Sequence, residues 1–168
     1  MIWCTIVSIL ATVLYVGSVV WKTGEWPASI SACVYAMKKQ NSHLFWTLFI
    51  WVAGIYGMIP LMAKMGELSW IGLIGLIGFG FLGVIPLTDK DVRGWHYLIG
   101  ITTGITSQVC VALASPWWLA VWLCYVPLFA GSMGAMNDSE EPPVICNGKG
   151  VLIIEVLCAI AVWGADLC

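Results

Sequence analysis

The chain has 168 residues, of which 61% are apolar and only 10% charged, whereas a water-soluble domain carries roughly a quarter charged residues. Small domains leave a large share of their area exposed, so no soluble chain of this size hides so much apolar surface, and the expected solvent is lipid. A net charge of -2 without any Lys/Arg cluster excludes a basic surface for nucleic acid and a polybasic clamp on anionic lipid.

The first apolar run, residues 1–20, has no positive charge ahead of it and no small-residue cleavage motif before a polar segment. It therefore reads as a span and not as a cleaved signal. Further runs occupy residues 44–63, 69–87, 96–114, 117–135 and 150–168. Each is close to the roughly 20 residues that a helix needs to cross about 30 Å of hydrocarbon. The period-two alternation of an outer-membrane barrel is absent. The expected fold is all-α, a polytopic integral membrane protein whose residues 1–168 form a single six-helix transmembrane bundle. The bacterial inner (cytoplasmic) membrane is its expected location.

The first connection, residues 21–43, contains Trp26-Pro-Ala-Ser-Ile-Ser-Ala32 and is too apolar for a solvated linker. It is expected to lie back on the bundle. The second connection, around Lys64 and Glu67, is a tight helical hairpin, and the fourth, at Ser115 and Pro116, is barely a turn. The third crowds Asp89, Lys90, Asp91 and Arg93 between Pro86, which ends one apolar run, and His96, which opens the next. The fifth holds Asn137-Asp-Ser-Glu-Glu-Pro-Pro143, where two prolines forbid helix and the acids stay hydrated.

With six spans, the first, third and fifth connections share one face, and the second and fourth share the other with both termini. The first face collects Ser29, Ser31, His43, Asp89, Asp91, His96, Asp138, Glu140 and Glu141, with Glu155 about one turn inside the last span. The other face offers Lys64, Glu67 and Asp166. Lys22, Lys38, Lys39, Lys90, Arg93 and Lys149 on the polar face, against Lys64 alone opposite, put that face in the cytoplasm by the positive-inside rule.

Gly72, Gly75, Gly78, Gly80 and Gly83 thin the third helix, and Gly100 with Gly104 forms a small-xxx-small pair on the fourth. Close helix packing is the plain reading, and the same helices are the candidate surface for a homo-oligomer or a partner membrane protein. Trp21, Trp26, Trp46, Trp70, Trp95, Trp117 and Trp118 fall at span ends, where an aromatic belt sits. Trp3, Trp51, Trp122 and Trp163 lie deeper and face lipid or a cavity. Cys33 and Cys146 are in connections of the polar face, paired if that face is extracytoplasmic and free if it is cytoplasmic.

Ser29, Ser31, Asp89, His96 and Glu155 form the candidate ligand-binding set. His96 follows Asp89 by seven residues, so both reach one headgroup-level pocket, and Ser29 and Ser31 fold over it. A carboxylate inside hydrocarbon normally faces a partner or a water-filled cavity, and the partners expected for Glu155 are His96, Lys149 or Arg93. The bland alternative is a solvated loop, an interfacial histidine and a carboxyl packed for structure. Motifs for phosphate loops, nucleophile elbows, zinc-protease helices and dinucleotide binding are absent, so nothing declares an enzyme.

Trp26-Pro-Ala-Ser-Ile-Ser-Ala32 after a first span, followed by Gly80-Phe-Leu-Gly-Val-Ile-Pro-Leu-Thr-Asp89 and then His96, resembles an uncharacterised bacterial multispanning membrane family. That family has a Ser-Ile-Ser element after helix one, a Gly-x-Phe-Pro-Thr-Asp element closing helix three and a histidine opening helix four. It is distantly similar to lipid-remodelling proteins and to the alkaline ceramidase and progestin-receptor-like group. The resemblance covers about the first two-thirds of the chain. It implies Ser29, Ser31, Asp89 and His96 as polar site residues, a lipid-related role, and a polar face outside the cell, against the charge count. The hydrolase branch binds zinc through three histidines, whereas this chain has only His43 and His96. Asp89 or Glu155 would have to complete a zinc site, which zinc chemistry allows.

Three functions follow as expectations. The first is a small membrane protein holding a lipid or other amphiphile between its helices, with membrane lipids as its partners. The second is a zinc-dependent lipid amidase or esterase, with metal candidates His43, His96 and Asp89. The third is an assembly subunit or small transporter.

Overall fold

The computed structural model describes residues 1–36, 42–85, 93–124 and 149–168, and its regular elements there are all helical. In chain order they are α1 (Ile2–Thr23), a one-turn α2 (Cys33–Ala36), α3 (Ser42–Ile50), a π-helical turn (Trp51–Ile55), α4 (Tyr56–Met65), a 3-10 turn (Gly66–Leu68), α5 (Ser69–Val84), α6 (Arg93–Ala114), a 3-10 helix (Pro116–Cys124) and α7 (Lys149–Leu167). Four stretches are long and apolar enough to cross a membrane: Ile2–Thr23, His43–Val84, Gly94–Ala114 and Gly150–Leu167.

The second of these, 42 residues long, is folded back on itself. Gly66, at φ +58, turns the chain, a backbone conformation that costs a residue without Cβ nothing. Across the hairpin Trp46 Nε1 donates to the Leu82 carbonyl at 2.9 Å and Thr47 Oγ1 to that of Gly83 at 2.5 Å. The fifth expected span opens as the 3-10 helix Pro116–Cys124, and its remainder, 125–135, lies outside the described residues. The described helices therefore give four crossing stretches where six spans were expected.

The bundle is apolar outside and partly polar within. Leu10, Val13 and Leu14 on α1, Ile74, Ile77 and Phe81 on α5, and Ile101 and Ile105 on α6 are exposed. Thr5, Ser8, Thr103, Thr106 and Ser107 are buried. Water would reverse this arrangement. Lipid allows it, because interhelical hydrogen bonds and small-residue packing hold such helices together.

Two apolar clusters divide the interior. Tyr15, Val19, Cys33, Val34, Trp46, Phe49, Ile50 and Leu82 fill the end nearest the first connection. Met58, Leu61, Met65, Cys110, Val111, Ala161, Val162 and Ala165 fill the other, and Phe79 packs against both. Glycines admit these contacts. A Cβ on Gly54 would meet the Phe79 ring at 2.4 Å, and one on Gly78 would meet Thr103 Oγ1 at 2.0 Å. Gly72 takes Met62, Gly83 takes Trp51, and Gly164 takes Trp118. Gly80 and Gly104 have open space beside them.

The tryptophans divide differently from the expected belt. Trp21, Trp26, Trp70, Trp95 and Trp117 are exposed at helix ends, as a belt requires. Trp46 is buried, at 3% exposure, because its indole N–H reaches across the hairpin to Leu82. Trp3, expected deep, is 76% exposed at the first turn of α1.

Candidate functional site

The first connection lies back on the bundle, as its apolar composition requires. The Leu152 N–H donates to the Ala28 carbonyl at 3.2 Å. Glu155 Oε2 accepts from the Ile30 N–H and Oε1 accepts from the Ser31 hydroxyl at 3.2 Å. One carboxylate on the second turn of α7 thus holds the Ser29–Ser31 segment against the last helix. Ser29 is used locally: its Oγ accepts from the Ala32 N–H at 2.9 Å and its carbonyl accepts the Cys33 thiol at 3.7 Å. Cys33 is wholly buried. Burial pushes its thiol up to about 12, and the nearby Glu155 charge adds to the shift.

His96 belongs to the same end but not to this cluster. Its Nδ1 lies 3.0 Å from the Ile85 carbonyl. A carbonyl only accepts, so Nδ1 carries the proton and Nε2 presents a lone pair. That Nε2 is buried without a partner among the described residues. The imidazole sits 6.0 Å from the Trp46 ring, Trp46 sits 6.1 Å from Tyr15, and Tyr15 stacks on Phe49 at 4.2 Å. The Tyr15 hydroxyl is likewise buried without a partner among the described residues. Of the partners expected for Glu155, His96 is not paired with it: its Nδ1 is on the Ile85 carbonyl and its Nε2 meets no described residue. Asp89, Asp91, Asp138, Glu140, Glu141 and Cys146 lie outside the described residues, as do the side chains of Arg93 and Lys149.

A zinc ion needs a set of ligands that converge. Among the described residues no group of three His, Cys, Asp or Glu side chains is placed to hold a metal. His43 is exposed at the start of α3, whereas His96 is buried. The orientation of His96, one nitrogen on a carbonyl and the other free, is that of a metal-bound imidazole, but one imidazole makes no site. Asp89, the carboxylate expected beside it, is outside the described residues.

Tyr15 was not among the residues singled out from sequence. A signal was present: it is the aromatic member of a polar stripe, Thr5, Ser8, Thr12 and Tyr15, at helical spacing along an otherwise apolar span. The opposite end also holds more than its three charges promised. Asp166 is buried and accepts from Thr5 Oγ1 at 3.3 Å, while Lys64 Nζ donates to the carbonyls of Ala165 and Asp166 at 2.6 and 2.9 Å.

No family model, curated protein or solved structure matches this chain.

Proposed function

We propose that the chain is a small six-span membrane protein that holds the polar head of a lipid or similar amphiphile at the end of the bundle carrying His96 and Tyr15. The observation that carries this reading is the pair of buried atoms, His96 Nε2 and Tyr15 Oη, that have no partner among the described residues, in rings that each lie about 6 Å from the Trp46 ring. A buried polar atom left unpaired costs about 1–3 kcal/mol, so a native fold supplies a partner. His96 Nε2 accepts and Tyr15 Oη can donate, which suits a headgroup with a hydroxyl or amide N–H beside an oxygen acceptor. Glu155 and Ser31 then fix the first connection as the wall of this site and do not touch the ligand.

Six spans follow from counting the His43–Val84 hairpin as two and residues 117–135 as one. The polar end faces the cytoplasm of a bacterial inner membrane. Lys64, the one cation opposite, is tied to the end of α7, so the charge count against the six on the polar side is more lopsided than the sequence alone implies.

Native mass spectrometry of detergent-purified protein, with a lipid extract from the same sample, tests this. Wild type is expected to carry about one amphiphile per chain, and Tyr15→Phe and His96→Ala to retain at least several-fold less. Complete delipidation of wild type with an unchanged melting temperature overturns the reading.

An assembly role is a second reading, favoured by the open space beside Gly80 and Gly104. It predicts a dimer or a co-purifying protein in mild detergent, and a lone monomer removes it.

A further inference from the structure

The end of the bundle that carries His96 and Tyr15 is closed in this structure. Tyr15 is 7% exposed, and Trp46 and His96 are each 3% exposed. No amphiphile reaches Tyr15 Oη or His96 Nε2 unless part of the covering moves.

Much of that covering is span. α1, α3 and α5 carry their own main-chain hydrogen bonds, and α3 is tied to α5 by the Trp46 and Thr47 bonds to the Leu82 and Gly83 carbonyls. The first connection supplies another part. Gly24, at φ +73, takes the left-handed conformation that ends α1, and a Cβ there would meet nothing within 4 Å. The chain then runs past the exposed Trp26 to the one-turn α2. Ile30, Cys33 and Val34 pack on the cluster that holds Tyr15, Trp46 and Phe49.

The polar ties of this segment are unevenly placed. Among the described residues, every hydrogen bond from residues 28–36 to another element goes to α7. The Leu152 N–H donates to the Ala28 carbonyl, and the Ile30 N–H and the Ser31 hydroxyl donate to the two oxygens of Glu155. Two of the three ties thus end on one carboxylate, and a hydrogen bond to a charged acceptor is about twice as strong as one between neutral groups. The Leu152 N–H is among the first four of α7, which have no acceptor within the helix, so water takes the place of Ala28 when the segment leaves. A permanent plug would be tied to several of the helices around it. This segment is tied to one, and chiefly by a single side chain.

We propose, resting on the amphiphile reading, that residues 28–36 are a lid over the His96 and Tyr15 end, latched to α7 by Glu155 and hinged at Gly24, whose lifting admits and releases the headgroup. Glu155 is a positioning residue: it holds the lid and does not touch the ligand. With the latch made, Ile30, Cys33 and Val34 close the site. With it broken, the Ile30 N–H and the Ser31 hydroxyl come free together, and only apolar packing keeps the segment down.

Cys33 and Cys110 separate lid opening from general loosening. Both are 0% exposed, Cys33 on the underside of the lid and Cys110 in the opposite apolar cluster. A local opening exposes only the groups of the segment that opens. Glu155→Asp keeps the charge and draws the carboxylate back by one methylene from Ile30 and Ser31. In dodecyl maltoside at pH 9, iodoacetamide is expected to alkylate Cys33 at least tenfold faster in Glu155→Asp than in wild type, measured by peptide mass, with the Cys110 rate unchanged. The co-purified amphiphile should leave that variant at least fivefold faster on dilution into fresh micelles, followed by native mass spectrometry. If Glu155→Asp does not fold, Ser31→Ala decides. It also keeps the charge, and should raise the Cys33 rate at least threefold with Cys110 again unchanged. An unaltered Cys33 rate overturns the lid, as does equal acceleration of Cys33 and Cys110, which would show that the carboxylate holds the whole bundle. Wild type without any amphiphile removes the headgroup reading, and with it the ligand that this lid admits. Wild type with an amphiphile that leaves the variant no faster removes the lid alone.

Discussion

His96 and Cys33 are buried at the same end of the bundle and differ in what burial leaves them able to do. His96 keeps a lone pair without a partner among the described residues, whereas the Cys33 thiol donates to its own turn. Burial first, and the Glu155 charge second, push that thiol from 9.0 up to about 12. The sign follows directly: a raised thiol value favours the folded chain at neutral pH, and this contribution fades as pH climbs from about 9 through about 12. At pH 9 the folded thiol is then only about one part in a thousand thiolate, the reactive form. Iodoacetamide at that pH is expected to alkylate Cys33 at least a hundredfold more slowly in the folded protein than in denaturant, measured by peptide mass, and equal rates would contradict the burial. His96 and Glu155 were legible in the sequence as polar groups at one membrane face. Their partners were not, because Ile30 and Ile85 contribute backbone atoms, which residue type does not reveal. Trp46 misled for a related reason: a span-end position says belt, and only the fold of the hairpin brings the Leu82 carbonyl to its indole.

At the scale of elements the glycines and the π-helical turn do the joining. A run of glycines in an apolar span marks close packing without saying against what. Gly54 admits the Phe79 ring and Gly78 admits Thr103, whereas Gly80 borders open space. Gly54→Ala is therefore expected to destabilise the fold by about 1–3 kcal/mol through overpacking. Gly80→Ala should be neutral or stabilising by up to about 1 kcal/mol, because the helix gains propensity and nothing is displaced. Thermal melts in one detergent compare them, and equal shifts would show that the glycines are interchangeable. The π-helical turn carried no sequence signal beyond Gly54, Gly57 and the nearby Pro60. Its Ala53 carbonyl is met by Ser8, which also accepts Trp163, so three helices share one hydroxyl. Ser8→Ala leaves the Trp163 N–H unpaired and should cost about 1–2 kcal/mol, near the upper range for interhelical bonds in membranes. Trp163→Phe in the Ser8→Ala background should then add little.

The whole molecule is organised by which helix ends share a membrane face. Thr5, Lys64 and Asp166 meet at one end, and Ile30, Ile85, His96 and Glu155 gather at the other. That sorting was legible from hydropathy and parity alone, since a chain crossing back and forth alternates its connections. The α1–α7 seam was not, because it joins residues about 160 positions apart, and periodicity tells which face of a helix is unlike the rest without telling which partner it meets. Parity also leaves the sign of the topology open. Trp26, at 66% exposure, marks the polar end, and Glu67, in the turn between α4 and α5, marks the opposite one. Trp26→Cys and Glu67→Cys, each treated with a membrane-impermeant maleimide on intact cells and read by peptide mass at that position, should give opposite results. Glu67→Cys labelled from outside and Trp26→Cys protected would put the lysine-rich end in the cytoplasm. Because Lys64 caps α7 and stands in no free loop, this is the expected outcome. The reverse pattern would place His96 and Tyr15 at the outer leaflet, and equal labelling of both would refute the crossing pattern itself.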